Sequence, residues 1–135
     1  MNFSKPVCEI PPEAAATLNS FMQASSERIG YQLSMLRFLS GVSSQKAYER
    51  LDQSIREEIR LDINSIHSYI LSFRGNRALR CYASNGETNL IQGIDYSREL
   101  LRYKALGVDS NGQEVETIVE DFSSFFLAEP RLPRQ

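Results

Sequence analysis

The stretch Ser44–Arg74 constrains this chain more than any other. It contains neither proline nor glycine, and its apolar residues fall at Tyr48, Leu51, Ile55, Ile59, Ile63, Ile66, Ile70 and Phe73. Steps of three and four residues keep one stripe on one face of a helix. At about 1.5 Å per residue such a helix rises roughly 45 Å, far longer than the globular mean of about 11–12 residues. Its stripe needs cover from other helices or from a second copy of the chain.

A partner helix is legible just upstream. Pro11-Pro12-Glu13 suits a first turn, where proline's missing N–H is harmless and an acid faces the positive end of the dipole. Ala14, Leu18, Phe21, Met22, Ser25, Ile29, Leu33, Leu36 and Leu39 then repeat the helical spacing. Gly30 is the weak point, dividing 12–40 between one long helix and two kinked ones. Ser40-Gly41-Val42-Ser43-Ser44 breaks the run, with Gly41 suited to the C′ position and Ser43 or Ser44 to capping the next helix. So short a link between long helices predicts an antiparallel αα-hairpin of 12–40 and 44–74.

Beyond Gly75-Asn76 the pattern is less regular. Asn85-Gly86, flanked by Ala78–Tyr82 and Asn89–Gln92, is a hairpin signal, while 87–106 also reads as a helix interrupted by Gly93. Asp95 suits an N-cap, and Ala105-Leu106-Gly107-Val108 has the form of a Schellman end. After a turn at Asp109-Ser110-Asn111-Gly112, residues 113–128 carry Val115, Ile118, Val119, Phe122, Phe125 and Phe126 at helical spacing and stop before Pro130. The expected fold is mainly α, a four-helix-bundle-like arrangement of the hairpin with helices over 87–106 and 113–128. A short β-hairpin near 78–92 is the competing feature. Residues 1–11 form an N-terminal arm, with Phe3, Val7 and Ile10 able to dock. Residues 12–128 form a single helical domain and 129–135 a frayed C-terminal tail.

With 135 residues, 41% hydrophobic and 24% charged, the chain matches one soluble globular domain. No run approaches the roughly 18 apolar residues of a membrane span, and the N-terminus lacks a signal-peptide core, so a cytoplasmic location is expected. Cys8 and Cys81 lie far apart, outside any metal-type spacing, and are read as two reduced thiols. A net charge of −2 favours no partner. Its distribution is more informative: Arg74, Arg77 and Arg80 are the only charges between Asp62 and Glu87, and only acids lie between Lys104 and Arg131.

Candidate chemistry is sparse. His67, the single histidine, lies about 40° round the helix from Ile63. A lone helical histidine serves phosphotransfer proteins, and Leu61-Asp62-Ile63-Asn64-Ser65-Ile66 is similar to a sensor-kinase phosphoacceptor helix. Leu61, however, stands where that pattern has histidine, and no family follows. Glu57, Glu58 and Asp62, with Glu116, Glu120 and Asp121, supply carboxylates for a di-metal hydrolase, but without the Glu-x-x-His pattern of such bundles. Arg74, Arg77 and Arg80 beside Phe73 and Tyr82 could contact phosphates and a stacked base. No Gly-x-Ser-x-Gly, activated cysteine or glycine-rich phosphate loop is present. No catalytic, cofactor-binding or metal-ligating residue is therefore assigned, and no cofactor is expected.

The expectation that follows is a small non-enzymatic protein–protein interaction module, an adaptor, regulator or assembly factor, self-associating as a homodimer and without membrane contact. Its candidate partner-binding residues are Arg74, Arg77, Arg80, Tyr82, Phe122, Phe125 and Phe126, the phenylalanines offering aromatic anchors at groove-binding spacing. A phosphorelay-like module using His67, a carboxylate-metal hydrolase and a nucleic-acid-binding regulator are the alternatives.

Overall fold

A computed structural model of the chain describes residues 8–42 and 44–129. The expected hairpin is there. Helix α1 spans Pro12–Val42 and α2 spans Gln45–Arg74. Arg28 pairs with Glu58, and both Ser25 and Arg28 reach Asp62, so numbers fall along α1 as they rise along α2 and the two run antiparallel. Ser44 caps α2, its hydroxyl accepting from the Ala47 N–H at 3.3 Å. Ser43, the alternative cap, and Phe3, Val7 and most of the tail lie outside the described residues. Gly30 does not break α1, and Gly41 lies within the last turn rather than beyond it.

The rest of the fold is not helical, and the mainly-α, four-helix-bundle expectation is overturned. Strands β1 (Cys8–Glu9), β2 (Leu79–Tyr82), β3 (Thr88–Ser97), β4 (Arg102–Val108), β5 (Glu114–Ile118) and β6 (Phe125–Leu127) form one antiparallel sheet in the order β1-β6-β2-β3-β4-β5. The protein is a two-layer α/β structure, with the helical hairpin on one face of the sheet. Where a helix over 87–106 was expected there is the β3–β4 hairpin. Where a helix over 113–128 was expected there are β5, a 3₁₀ turn at Phe122–Ser124 and β6.

The short hairpin near 78–92 does form, as β2–β3, and its turn chemistry recurs. Ala83-Ser84-Asn85-Gly86-Glu87 and Asp109-Ser110-Asn111-Gly112-Gln113 close with the same two backbone bonds, and Gly86 (φ 85°) and Gly112 (φ 77°) occupy the left-handed position. Each is a three-residue loop with a glycine bulge. The two turns meet at one end of the sheet, where the Ser110 hydroxyl donates to Glu87 at 2.9 Å.

Residues on the buried face are Leu79 and Cys81 of β2, Asn89, Ile91, Ile94 and Tyr96 of β3, and Tyr103, Ala105 and Gly107 of β4. The step from Ile91 to Ile94 breaks strict alternation because the register shifts by one residue between Ile91 and Gly93, a β-bulge. Gly107 is not a helix end. A Cβ there would meet the Leu90 carbonyl oxygen at 2.2 Å, so only glycine allows β3 and β4 to approach at the bulge. The sheet also curls: Cys81 of β2 and Thr117 of β5 approach each other across two intervening strands, and burial pushes the Cys81 thiol up. Cys8 and Cys81 are free thiols. Among the described residues no helix is long and apolar enough to cross a membrane.

Two glycines give opposite expectations. Gly30 is helical with open space around its Cβ position, so Gly30→Ala should stabilise by about 0.5–1 kcal/mol in urea unfolding. Gly107→Ala, forced against backbone, should destabilise by about 1–3 kcal/mol.

Candidate functional site

The residues singled out by sequence do not gather in one place. Arg74 and Arg77 serve the end of α2: Arg74 Nε donates to the Arg77 carbonyl, and Arg77 donates to the carbonyls of Phe73 and Arg74 and contacts Cys8 Sγ. Arg77 satisfies carbonyls that a helix C-terminus leaves open, and both cations suit its negative end. Arg80 lies on the face of the sheet away from the helices, half-buried between Phe126 on one neighbouring strand and Leu90 on the other. Tyr82, 52% exposed, stacks on Phe126 with ring centroids 4.7 Å apart. Phe122 and Phe125 are buried, their rings 5.2 Å apart. His67 is half-buried on α2.

The carboxylates are likewise dispersed. Glu58 and Asp62 pair with Arg28, Glu116 with Lys104 and Glu120 with Arg102. No group of three or more residues capable of holding a metal ion assembles among the described residues.

Three features that sequence reasoning passed over do have a defined geometry. The first is a polar chain joining both helices to β4. Ser25, 1% exposed, donates to Asp62 at 2.5 Å, so its single proton is committed and the 2.7 Å contact with Tyr103 is donated by the phenol. Arg28 completes the chain on Asp62. Burial, with the Ser25 bond opposing it, pushes the Tyr103 phenol up to about 12, so it stays protonated as donor. A serine so buried, hydrogen-bonded to an ion-paired carboxylate, offers neither access nor an activating base. The chain is a lock between layers. Ser25→Ala, which strands the Tyr103 hydroxyl, should destabilise by about 1–3 kcal/mol. Tyr103→Phe added to it should be nearly silent, a coupling that a double-mutant cycle reads directly.

The second is a cleft of about 490 Å³ where α1 meets the ends of β4 and β5, lined by Asn19, Gln23, Leu101, Arg102, Glu120 and Asp121 among others. Asn19 staples the chain that leaves β5, donating to Asp121 at 2.7 Å and accepting from the Phe122 N–H at 2.8 Å. The Ser123 N–H, then Asn19, hold the Asp121 carboxyl below its ordinary range, as Arg98 does for Asp52. Leu101, in the β3–β4 turn at the cleft's rim, has φ 56°, uncommon for a residue with a Cβ. Because the folded values of Asp52 and Asp121 lie below the ordinary 3.8, their stabilisation is complete above about pH 4 and disappears as pH falls through the folded values. Replacing both with asparagine should flatten the loss of Tm as pH falls below about 4, relative to the unsubstituted chain.

The third feature is apolar. Tyr31, Met35 and Phe38 are 70%, 45% and 70% exposed. At 100° per residue they form one stripe on α1, opposite the buried stripe through Ile29, Leu33 and Leu36. The signal was available in the sequence, since these are the large apolar residues that the buried stripe omits at i, i+4 and i+7. Compared with models of known protein families, with curated proteins and with solved structures, the chain matches none.

Proposed function

We propose that this protein is a protein–protein interaction module whose principal contact is the solvent-facing stripe of α1. The observation that carries this reading is the exposure of Tyr31, Met35 and Phe38 together on the far side of a helix whose core face is already filled. Isolated exposed apolar residues are normal on protein surfaces, whereas contiguous ones mark contact sites, and Tyr, Phe and Met are residue types that interfaces enrich. The support from elsewhere is the internal use of the chain's other chemistry: its buried serine serves a lock between layers, and its paired carboxylates serve ion pairs. On the sheet side, exposed Tyr82 stacked on Phe126 beside Arg80 is a second, smaller contact.

The test is a photocrosslinking amino acid placed at position 38, with the same group at exposed Ser20 as control, in extract of the source cells. Position 38 should give protein adducts that excess unsubstituted chain competes away and excess Phe38→Glu chain does not. Equal labelling at 20 and 38, or no protein adduct at 38, would refute the reading.

A further inference from the structure

The geometry points to the outer edge of β5 as a further docking site, one that takes an extended peptide segment with lysine or arginine at alternate positions as an added strand. The site is separate from the α1 stripe and does not depend on it.

The backbone supplies the template. β5 stands last in the sheet order, and among the described residues no strand pairs with its outer side. The Asp109 N–H donates to the Gln113 carbonyl and the Val119 N–H to the Tyr103 carbonyl. Hydrogen-bonded and non-bonded positions alternate along an antiparallel pair. With Gly107 opposite Val115 and Ala105 opposite Thr117, the odd-numbered residues of β5 therefore bond to β4. Glu114, Glu116 and Ile118 turn their N–H and C=O groups outward, which is the open ladder that strand addition uses. An antiparallel newcomer sets one side chain opposite each of these three, on the sheet face away from the helices.

Charge selects the occupant. From Asp109 to Asp121 the chain holds five acids and no base. Glu116 is paired with Lys104 and Glu120 with Arg102, while Asp109 accepts from its own turn and Asp121 from Asn19 and Ser123. Glu114 is exposed and has no side-chain partner among the described residues. Opposite charges across a strand pair stabilise it and like charges destabilise it. The edge therefore rejects a second copy of itself. In each two-fold antiparallel register, Glu114 meets Glu114, Glu116 or Glu120, or Glu116 meets itself or Glu120. A segment with basic residues opposite Glu114 and Glu116 is the complement. At Ile118 the requirement changes, because Lys104 lies directly across from it on the same face and already places a cation there. An apolar residue suits that position. Beside the two glutamates lies a hollow of about 350 Å³, lined also by Leu106 and by Gln92 at the bulge. It gives the aliphatic stems of long basic side chains an apolar wall while their charged ends reach the carboxylates. From its N-terminus the docked segment runs apolar-x-basic-x-basic.

The test titrates the full chain into the labelled peptide fluorescein-Thr-Val-Thr-Lys-Thr-Lys-Thr-amide at low salt, read by anisotropy. Replacing both lysines with glutamate should weaken binding about tenfold or more. Glu114→Lys should weaken the lysine peptide about fivefold, and exchanging the peptide's second lysine for glutamate should restore binding to that variant. Attraction between charges alone would give these results, so the backbone is tested separately. N-methylation of the lysine opposite Glu116 removes an N–H that donates to β5 and should abolish binding. N-methylation of the threonine opposite Val115, whose N–H points away, should cost no more than about threefold. Saturating peptide should slow hydrogen exchange of the Glu114, Glu116 and Ile118 amides about tenfold or more. Absence of saturable binding, equal binding of the glutamate peptide, equal effects of the two N-methyl groups or unchanged exchange at these amides overturns the inference. Each of those results leaves the α1 stripe as a protein contact untouched.

Discussion

The curl of the sheet is the constraint from which the rest of the structure follows. Drawn flat, β5 and β6 sit four strand spacings apart, about 19 Å at roughly 4.8 Å each. The connection between them, residues 119–124, has little slack at about 3.3–3.6 Å per extended residue, and it includes a 3₁₀ turn that shortens it. It can cross because the sheet bends toward the helices. The bend depends on small groups along its inner face: Cys81 near Thr117, Ala105, and Gly107 pressed against the Leu90 carbonyl beside the bulge. Phe122 then drops from the crossing chain into the core, fully buried against Phe125, while Asn19 fastens the crossing to α1. The bend, the crossing and the plug are one arrangement.

The helical layer is fixed to that sheet by polar contacts at defined heights. Ser25, Asp62 and Tyr103 join α1, α2 and β4 in a single hydrogen-bonded chain, and Arg98 in the β3–β4 turn reaches Asp52 nearer the hairpin tip at 2.7 Å. Apolar packing alone tolerates sliding of two amphipathic helices. A buried serine with its proton committed to one carboxylate does not, because any shift leaves a polar group unpaired. The polar chain sets the height of the hairpin on the sheet, and the apolar contacts around it supply most of the stabilisation.

How far this was legible in the sequence follows from the same residues. Helices α1 and α2 were readable because a long 3.6 period has no competing explanation. The sheet was not, for three reasons. The bulge at Gln92 breaks the alternation of Ile91 and Ile94, which is the signal a strand would give. Leu90, Leu106, Val108 and Ile118 put apolar side chains on the face away from the helices, and summed with the inner residues they imitate a helical period. Gly107 in Ala-Leu-Gly-Val copies a helix terminus while meeting an unrelated need for close approach. The clue to the sheet is the recurrence of Ser-Asn-Gly at 84–86 and 110–112: two identical turns, each between apolar runs, are two hairpins. At the candidate site, Arg74, Arg77 and the phenylalanines drew attention through charge and size. The structure commits Arg74 and Arg77 to the end of α2, and Phe122 and Phe125 to the core. Tyr31, Met35 and Phe38 are hidden in the sequence because the buried stripe of α1 already accounts for its helical period without them.

The placement of β6 has a consequence for synthesis. It is the last strand of the described residues, yet it sits between the first of them, β1, and β2, with Leu127 opposite both Cys8 and Leu79. A chain emerging from its N-terminus can complete the helical hairpin and the β2–β5 meander from local contacts. Strand β1 meanwhile has no neighbour among the described strands and β2 presents an open edge, until β6 arrives and closes both gaps together. A chain cut before β6 would thus carry unsatisfied strand edges on both β1 and β2. The strand that bridges β1 and β2 is also the one that removes their open edges.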